Sequence, residues 1–325
     1  MKPRKLPELK PLYLERMQKL LPDKEDFQEY LNILKILPVK SIRCNTLKIF
    51  PHELKKRLEK KAWEISQPWK ENPEVMIVEN QLMPGELGRA LEHLLGYYYI
   101  QELASMLPII TLKPKPNELI LDLASAPGSK TTQLAAEIKN TGTIIANDIS
   151  LGRIKILATN LERCGVTNTI ITRKEGIAFC KRLQRYNPEL KFDKILIDAP
   201  CSGEGTLRSS PKTYVMWNIK TVKNLPKIQK QLISYALEIL KSNGTLIYST
   251  CTHAPEENEG VIESVLKNSK DKIKLEEIKL PIKYREGILE WEDKKYCEEI
   301  KKCARIYPQD NNTEGFFIAK LRKSK

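Results

Sequence analysis

Two cysteines stand at the ends of apolar runs, Cys201 within KILIDAPCSGEG (residues 194–205) and Cys251 within TLIYSTCT (residues 245–252). Each run reads as a strand, so each thiol sits at a strand tip. Asp198 closes the first strand, three residues before Cys201. A buried cysteine is ordinarily a small hydrophobe, but two of them on adjacent strands of one sheet converge on one crevice. A thiolate there is suited to adding to carbon 6 of a pyrimidine. The addition breaks the aromaticity and pushes electron density onto carbon 5, which then attacks an electrophilic methyl group; loss of the carbon 5 proton expels the thiolate and restores the ring. Asp198 is placed to hold the exocyclic amino group and ring nitrogen 3 while charge develops there. Methylation of nitrogen or oxygen needs no covalent step. The [DN]-P-P-[YFW] signature usual in amino-adenine enzymes is replaced here by Asp198-Ala199-Pro200-Cys201.

The segment LDLASAPGSKTTQLA (residues 121–135) is a strand, a tight turn of small residues and a helix. Ala124, Ser125, Ala126, Gly128 and Ser129, with Pro127 among them, let a ligand approach the backbone. A helix opening near Ser129 and Lys130 presents free N–H groups. Of a G-x-G-x-x-G fingerprint only Gly128 is present, and Ser129-Lys130-Thr131 lacks the glycines of a phosphate-cradling G-x-x-x-x-G-K-[ST] loop. Asp148, twenty residues after Gly128 at the end of the next strand, is placed to accept hydrogen bonds from ribose hydroxyls. Loop and acid together point to an adenosine cofactor.

The elements that must position these groups alternate along the chain. Strands are expected at residues 118–123, 142–148, 169–172, 194–198 and 244–250, and helices at 130–138, 151–164, 225–241 and 256–268. Short apolar runs separated by helices mark a parallel sheet covered on both faces, with ligands at the C-terminal strand ends. Residues 1–112 read as a smaller mixed unit. It carries helical periodicity at 14–37, interrupted near Pro22 and closed by Pro38, then a strand at 41–48, a helix at 52–61, a loop at 68–73 and a strand at 74–78. KPKPN (residues 113–117) is a turn or linker into a second domain, 113–325.

A length of 325 residues suits two domains, and 41% apolar residues suffice for a core without disulfide or metal support. The net charge of +14 favours a polyanionic partner through phosphate neutralisation, although a Lys/Glu-rich surface also occurs in heat-adapted proteins. The seven cysteines are scattered and odd in number, without paired C-x-x-C spacing, so neither a disulfide framework nor a metal site is expected and a reducing cytoplasm fits. MKPRKLPELK has no apolar leader region, and no run of eighteen apolar residues occurs, so no membrane span is expected. Tyr214 and Trp217, with Lys212 nearby, either stack on RNA bases or pack a loop onto the core. Lys and Arg clusters at 55–61 and 181–185 read either as plain solvated helix faces or as additions to a phosphate-attracting field. Cys164, Cys180, Cys297 and Cys303 read as structural.

These residues resemble the Sun-type (RsmB-like) RNA cytosine-5 methyltransferases, above all the short archaeal tRNA-modifying members. The likeness covers nearly the whole chain. Arg43-Cys44-Asn45-Thr46-Leu47-Lys48 resembles the family's R-x-N-T-L-K element, and Gln101-Glu102 with Ala104-Ser105-Met106 its Q-[DE]-x-A-S-M stretch. Residues 124–130 resemble the cofactor loop, and Asp198-Ala199-Pro200-Cys201-Ser202-Gly203 and Ser249-Thr250-Cys251 the two cysteine motifs. Pro255-Glu256-Glu257-Asn258-Glu259 and Glu314-Gly315-Phe316-Phe317-Ile318-Ala319 match later signatures.

The resemblance implies an α/β fold: a seven-stranded Rossmann-like methyltransferase sheet with a smaller N-terminal α+β RNA-recognition-like subdomain. It implies S-adenosyl-L-methionine as cofactor and RNA, specifically tRNA, as partner, for a metal-free monomer. It makes Cys251 the nucleophile and Cys201 the residue that assists release. Asp148 and Arg153 would hold the ribose and adenosine side of the cofactor, and Asp198 would face both cofactor and base. Ala124, Ser125 and Ser129 replace the family's usual Cys, Ala and Gly, and Glu175 stands where an Asp usually lies beside the adenine. Pro200-Cys201 also has the Pro-Cys form with which DNA cytosine-5 methyltransferases attack, and on that assignment the cysteine roles are exchanged. Ribosomal RNA as substrate, another methyl acceptor, and a non-catalytic RNA-binding factor on the same fold are the competing readings.

Overall fold

The computed structural model of the chain describes residues 7–269 and 273–324. The reading of the N-terminal segment as free of an apolar leader falls partly on residues 1–6, outside the described residues. Helices α1 (Pro11–Leu20) and α2 (Lys24–Ile33) open the chain. The break near Pro22 is sharpened by Asp23, whose side chain accepts from the Asp26 N–H and caps α2. A four-stranded antiparallel sheet follows, in the order β2-β3-β1-β4, from β1 (Lys40–Cys44), β2 (Ile65–Ser66), β3 (Val75–Val78) and β4 (Tyr98–Ile100). Helix α3 (Pro51–Glu59) buries Leu54 and Leu58 against it, and the short helices α4 (Glu86–Arg89) and α5 (Leu91–Leu94) lead into β4.

The strand expected at 41–48 is shorter than that. It stops at Cys44 because the Asn45 side chain turns the chain: its amide donates to the carbonyls of Gly96 and Cys164 (both 2.8 Å) and its oxygen accepts from the Leu47 N–H.

Helix α6 (Leu103–Leu112) packs on the large sheet, its Met106, Leu107 and Ile109 sharing a core with Ile120, Leu196 and Ile247. That sheet is built from β5 (Leu119–Asp122), β6 (Thr143–Asp148), β7 (Thr169–Arg173), β8 (Phe192–Asp198), β9 (Leu240–Thr250), β10 (Ile273–Leu275), β11 (Arg285–Glu286), β14 (Ala304–Ile306) and β15 (Phe316–Lys323). Between β11 and β14 stands a separate two-stranded ribbon, β12 (Glu290–Trp291) and β13 (Lys294–Lys295). The path β7-β6-β5-β8-β9-β15-β14 gives the seven expected strands, parallel as far as β9 and antiparallel beyond it. Two short strands enlarge it to nine: β11 extends the β14 edge and β10 pairs with β15.

The helices between these strands are α7 (Ser129–Glu137), α8 (Leu151–Cys164), α9 (Gly176–Tyr186), α10 (Pro211–Met216), α11 (Ile219–Glu238), α12 (Glu259–Asn268) and α13 (Pro308–Asn311). The helix expected at 225–241 starts six residues earlier, at Ile219. Asn218 caps it by accepting from the Thr221 N–H, and Pro226 lies inside it. The helix expected from 256 begins at Glu259, because Asn258 is drawn out of helical geometry to bond Thr250 and Thr252 on either side of Cys251.

Tyr214 and Trp217 are buried. They pack with Tyr13 and Met17 of α1 and Tyr30 of α2, and the Trp217 indole donates to Glu204 at 2.7 Å, so they hold the loop after Cys201 to the core. Of the four cysteines read as structural, Cys164, Cys180 and Cys303 are buried, whereas Cys297 is exposed.

Candidate active site

The parallel strands end on one edge, and that edge gathers most of the residues singled out in the sequence. A cavity of about 440 Å³ is lined by Ala124 and Ala126 from the loop after β5, Asp148 at the end of β6, and Glu175 ahead of α9. Its other wall is Asp198, Cys201 and Cys251. The two thiols are half-buried, with their sulfur atoms 3.3 Å apart. Adjacent parallel strands β8 and β9, with Asp198 opposite Ser249, bring them together.

Asp198 is fixed on both sides. Its Oδ2 accepts from the Lys130 ammonium at 2.7 Å and its Oδ1 from the Ser249 hydroxyl at 2.8 Å. Lys130, buried at the start of α7, also donates to Ser105 at 3.0 Å and lies over the Phe316 ring. It thus serves Asp198 and does not line the cavity. Charge-assisted bonds of this kind lock the carboxylate rotamer and leave its remaining lone pairs toward the cavity.

The rest of the loop shapes the backbone. The Ser125 hydroxyl and N–H both donate to the Asn147 carbonyl, turning that side chain inward. Pro127 accepts from Asn160 through its carbonyl, and the Ser129 carbonyl takes a hydrogen bond from Arg43. Gly128 adopts φ +105°, and a Cβ there would lie 2.9 Å from Leu157 Cδ1, so the turn admits glycine and little else. Asp148 accepts from the N–H groups of Ser150 (2.9 Å) and Ala126 (3.2 Å), and Arg153 approaches it at 3.5 Å while donating to the Ala126 carbonyl. Glu175 accepts from the N–H groups of Ile177 and Ala178, capping α9, so its carboxylate is already committed to a helix terminus.

The residue set fits an adenosine-bearing cofactor. A volume of about 440 Å³ lies within the range of small-molecule sites. A buried carboxylate at the end of β6 keeps lone pairs free for ribose hydroxyls, and Ile149, Ile228 and Leu232 offer apolar wall. Among the described residues no group of three or more His, Cys, Asp or Glu is gathered for a metal. No helix there is long and apolar enough to cross a membrane.

Sequence reading missed the support beneath Cys201. Glu257 is fully buried; its Oε2 accepts from the Ser202 N–H at 3.0 Å and from Gln229 Nε2 at 2.9 Å, while Gln229 also donates to the Pro200 carbonyl. The peptides on both sides of Cys201 are therefore clamped from below. Burial pushes the Glu257 carboxyl up to about 7. Gly205 N–H donates to the Cys251 carbonyl at 2.9 Å, and its backbone runs so close to Gly315 that a Cβ would meet that carbonyl at 2.2 Å. The hydrogen bond with Cys251, then burial, pushes the Cys201 thiol well up, and either sulfur can be the donor of the pair. His253, stacked on Tyr307, is kept neutral by burial and by Arg305, which push it down to about 3.

The sequence motifs near the N-terminus act at a distance. Arg43 reaches from β1 to Gln101, Ser129 and Thr132, and Lys48 to the carbonyls of Leu95 and Arg163. They pin the small sheet to the cofactor loop and to α8.

Comparison with known proteins agrees with this geometry. Residues 109–322 match the family described as 16S rRNA methyltransferase RsmB/F, and residues 9–103 match the N-terminal domain of 16S rRNA methyltransferase RsmF. The tRNA (cytosine(49)-C(5))-methyltransferase of Pyrococcus abyssi is 45% identical over 95% of this chain and 95% of its own. The ribosomal RNA small subunit methyltransferase F of Vibrio cholerae is 38% identical over 96% of this chain, which spans 63% of that relative's length. Among solved structures, NSun6 from Pyrococcus horikoshii with the S-adenosylmethionine analogue SFG superposes with a TM-score of 0.80 at 27% identity, covering 97% of this chain and 98% of that one. On these matches the chain belongs to the RsmB/F family of S-adenosylmethionine-dependent RNA cytosine-5 methyltransferases.

Proposed function

We propose that this protein methylates carbon 5 of a cytosine in tRNA, with Cys251 as nucleophile and Cys201 as the residue that assists release. The observation that carries the reading is the pair of thiols 3.3 Å apart beside a clamped Asp198 at the cofactor cavity. S-adenosylmethionine supplies the electrophilic methyl group. Ala124, Ala126, Asp148 and Arg153, which line the cavity, would hold it, with Glu175 beside them at the wall.

The Cys251 thiolate adds to carbon 6, forming one S–C bond and raising electron density at carbon 5. Asp198, held by Lys130 and Ser249, orients the base by accepting from its exocyclic amino group, next to ring nitrogen 3. After transfer, the carbon 5 proton departs to a base, the S–C6 bond breaks and the thiolate returns. The contact with Cys251 and burial push the Cys201 thiol up, which favours a protonated Cys201 beside the attacking sulfur and supports this division of labour.

The same reading takes residues 1–112, carrying the RNA-recognition-like sheet, as the RNA-binding unit and 113–325 as the methyltransferase domain. It requires one copy of the chain, no metal, and a reducing cytoplasm that keeps both thiols free. The tRNA assignment is favoured by the Pyrococcus abyssi relative, which matches end to end. Bisulfite sequencing of total archaeal-type RNA incubated with the protein and S-adenosylmethionine tests it. Protection of a tRNA cytosine is expected; protection confined to 16S rRNA would move the substrate to the ribosome.

A further inference from the structure

Away from the cysteines, a groove of about 990 Å³ runs between α11, α12 and the β12–β13 ribbon. Six lysines line it: Lys223, Lys227 and Lys230 on α11, Lys267 on α12, and Lys294 and Lys295 on the ribbon. Three acids share the groove, and all are engaged. Glu256 accepts from Arg16 at 2.7 Å and from the Trp291 indole, Glu263 pairs with Lys267 at 2.8 Å, and Glu292 lies 3.7 Å from Arg16. The ammonium groups of Lys223, Lys227, Lys230, Lys294 and Lys295 make no hydrogen bond or ion pair among the described residues. The groove therefore presents uncompensated positive charge on a rigid helix and a ribbon facing it.

We propose that this groove binds the phosphodiester backbone of the substrate RNA on the side flanking the methylated base. The proposal rests on the RNA methyltransferase reading and adds to it a second contact surface. Helix α11 makes the connection. It stands between the two: Ile228 and Leu232 line the cofactor cavity and Gln229 holds the Pro200 carbonyl beside Cys201, while Lys223, Lys227 and Lys230 line the groove on its other side. The groove thus lies about one helix diameter, on the order of 10 Å, from the cysteine loop. A strand that delivers its cytosine to the thiols passes its adjoining phosphates over those lysines. Lysines act here as point charges that neutralise phosphates without reading bases, so the surface adds affinity and register and leaves sequence choice to the site. Burial and the nearby Lys294 lower the affinity of Lys230 for its proton, and a bound anion would reverse that effect. An acidic protein segment is a poorer occupant, because the lysines stand on two facing elements and suit a continuous chain of phosphates.

The test is Lys223→Ala/Lys227→Ala/Lys294→Ala, measured with an unmodified tRNA transcript. Expected is a rise of about tenfold or more in Kd and KM, with kcat at saturating RNA and S-adenosylmethionine affinity unchanged. The log–log salt slope of binding should fall by about two to three, one phosphate per lysine lost. Lys113→Ala/Lys115→Ala/Lys139→Ala, exposed at the sheet edge opposite the cysteines, serves as the charge-matched control and should keep the wild-type slope. Calorimetry with S-adenosylmethionine reports folding of each variant, and Lys294→Glu/Lys295→Glu on the exposed ribbon repeats the test without touching α11. An unchanged slope and Kd in the triple variant overturns the groove, whether or not the wild type methylates RNA. So does tight binding of poly-glutamate with no binding of RNA. Absence of methylation by a wild type whose RNA binding is groove-dependent overturns the catalytic reading and leaves the groove standing.

Discussion

Replacing Glu257 by glutamine separates the electrostatic cost of this residue from its role as a hydrogen-bond acceptor. Its carboxylate is fully buried, its Oε1 finds no partner among the described residues, and burial lifts it from 4.5 to about 7. A carboxyl that binds its proton more tightly when folded destabilises the folded state as pH rises through the window between those values. Below about pH 4.5 the cost is absent, and above about pH 7 it is fully present. The displacement converts to on the order of 3 kcal/mol.

Glutamine keeps an oxygen for the Ser202 and Gln229 donors and carries no charge. Its amide N–H₂ replaces an oxygen that was unpartnered already, so the variant should lie within about 1 kcal/mol of the wild type at pH 5. At pH 8 it should be more stable by up to about 3 kcal/mol, read as a higher urea midpoint with an unchanged m-value. Glu257→Ala removes the acceptor as well. Leaving the Ser202 N–H without a partner should cost about 1–3 kcal/mol at both pH values and raise the reactivity of Cys201 toward alkylating agents. Equal stability differences at pH 5 and pH 8 between Glu257→Gln and wild type would refute the assignment of a buried, strained carboxylate beneath the cysteine loop.

Three further perturbations probe the frame of the site. Asp148→Ala should weaken S-adenosylmethionine binding by about 10- to 100-fold, since hydrogen bonds to a charged group are lost, and calorimetry with unchanged affinity would remove Asp148 from the cofactor site. Gly128→Ala should destabilise by about 1–3 kcal/mol, because a positive φ and the Leu157 contact both oppose a Cβ; chemical denaturation measures it. Arg305→Met breaks the buried 2.6 Å pair with Glu259 and should cost about 3–5 kcal/mol, visible as a lowered thermal midpoint.

What could be read from the sequence was local: strand tips and the polar groups on them. Asp148, Asp198, Cys201 and Cys251 follow apolar runs, and a parallel sheet sends the ends of such runs to one edge. Glu175, named only through the family resemblance, lies at the cavity wall, and its N-cap geometry and the helix it opens, Gly176–Tyr186, are not legible in the sequence because the helix begins at a glycine and is largely polar outside. Lys130 was read with the cofactor loop, yet its partner Asp198 lies sixty-eight residues away, a pairing that only the sheet makes. Glu257 and Gln229 stayed invisible for the same reason. Each is an ordinary polar residue on its own element, and the clamp exists only where α11, the loop ahead of α12 and the Pro200 turn meet. Trp217 shows the reverse: an aromatic that looked available for bases is consumed by the core that α1 and α2 complete. The two additional short strands, β10 and β11, carry too few residues to show a period.

The roles of the two thiols are the centre of the account, and denaturing electrophoresis of protein–RNA adducts tests them directly. Wild type, Cys251→Ala and Cys201→Ala are each incubated with substrate tRNA and S-adenosylmethionine. Cys251→Ala should lose turnover and form no adduct, while Cys201→Ala should still attack and methylate but release poorly, accumulating a complex that survives denaturation. An adduct trapped in Cys251→Ala, with none in Cys201→Ala, would contradict the assignment and make Cys201 the nucleophile.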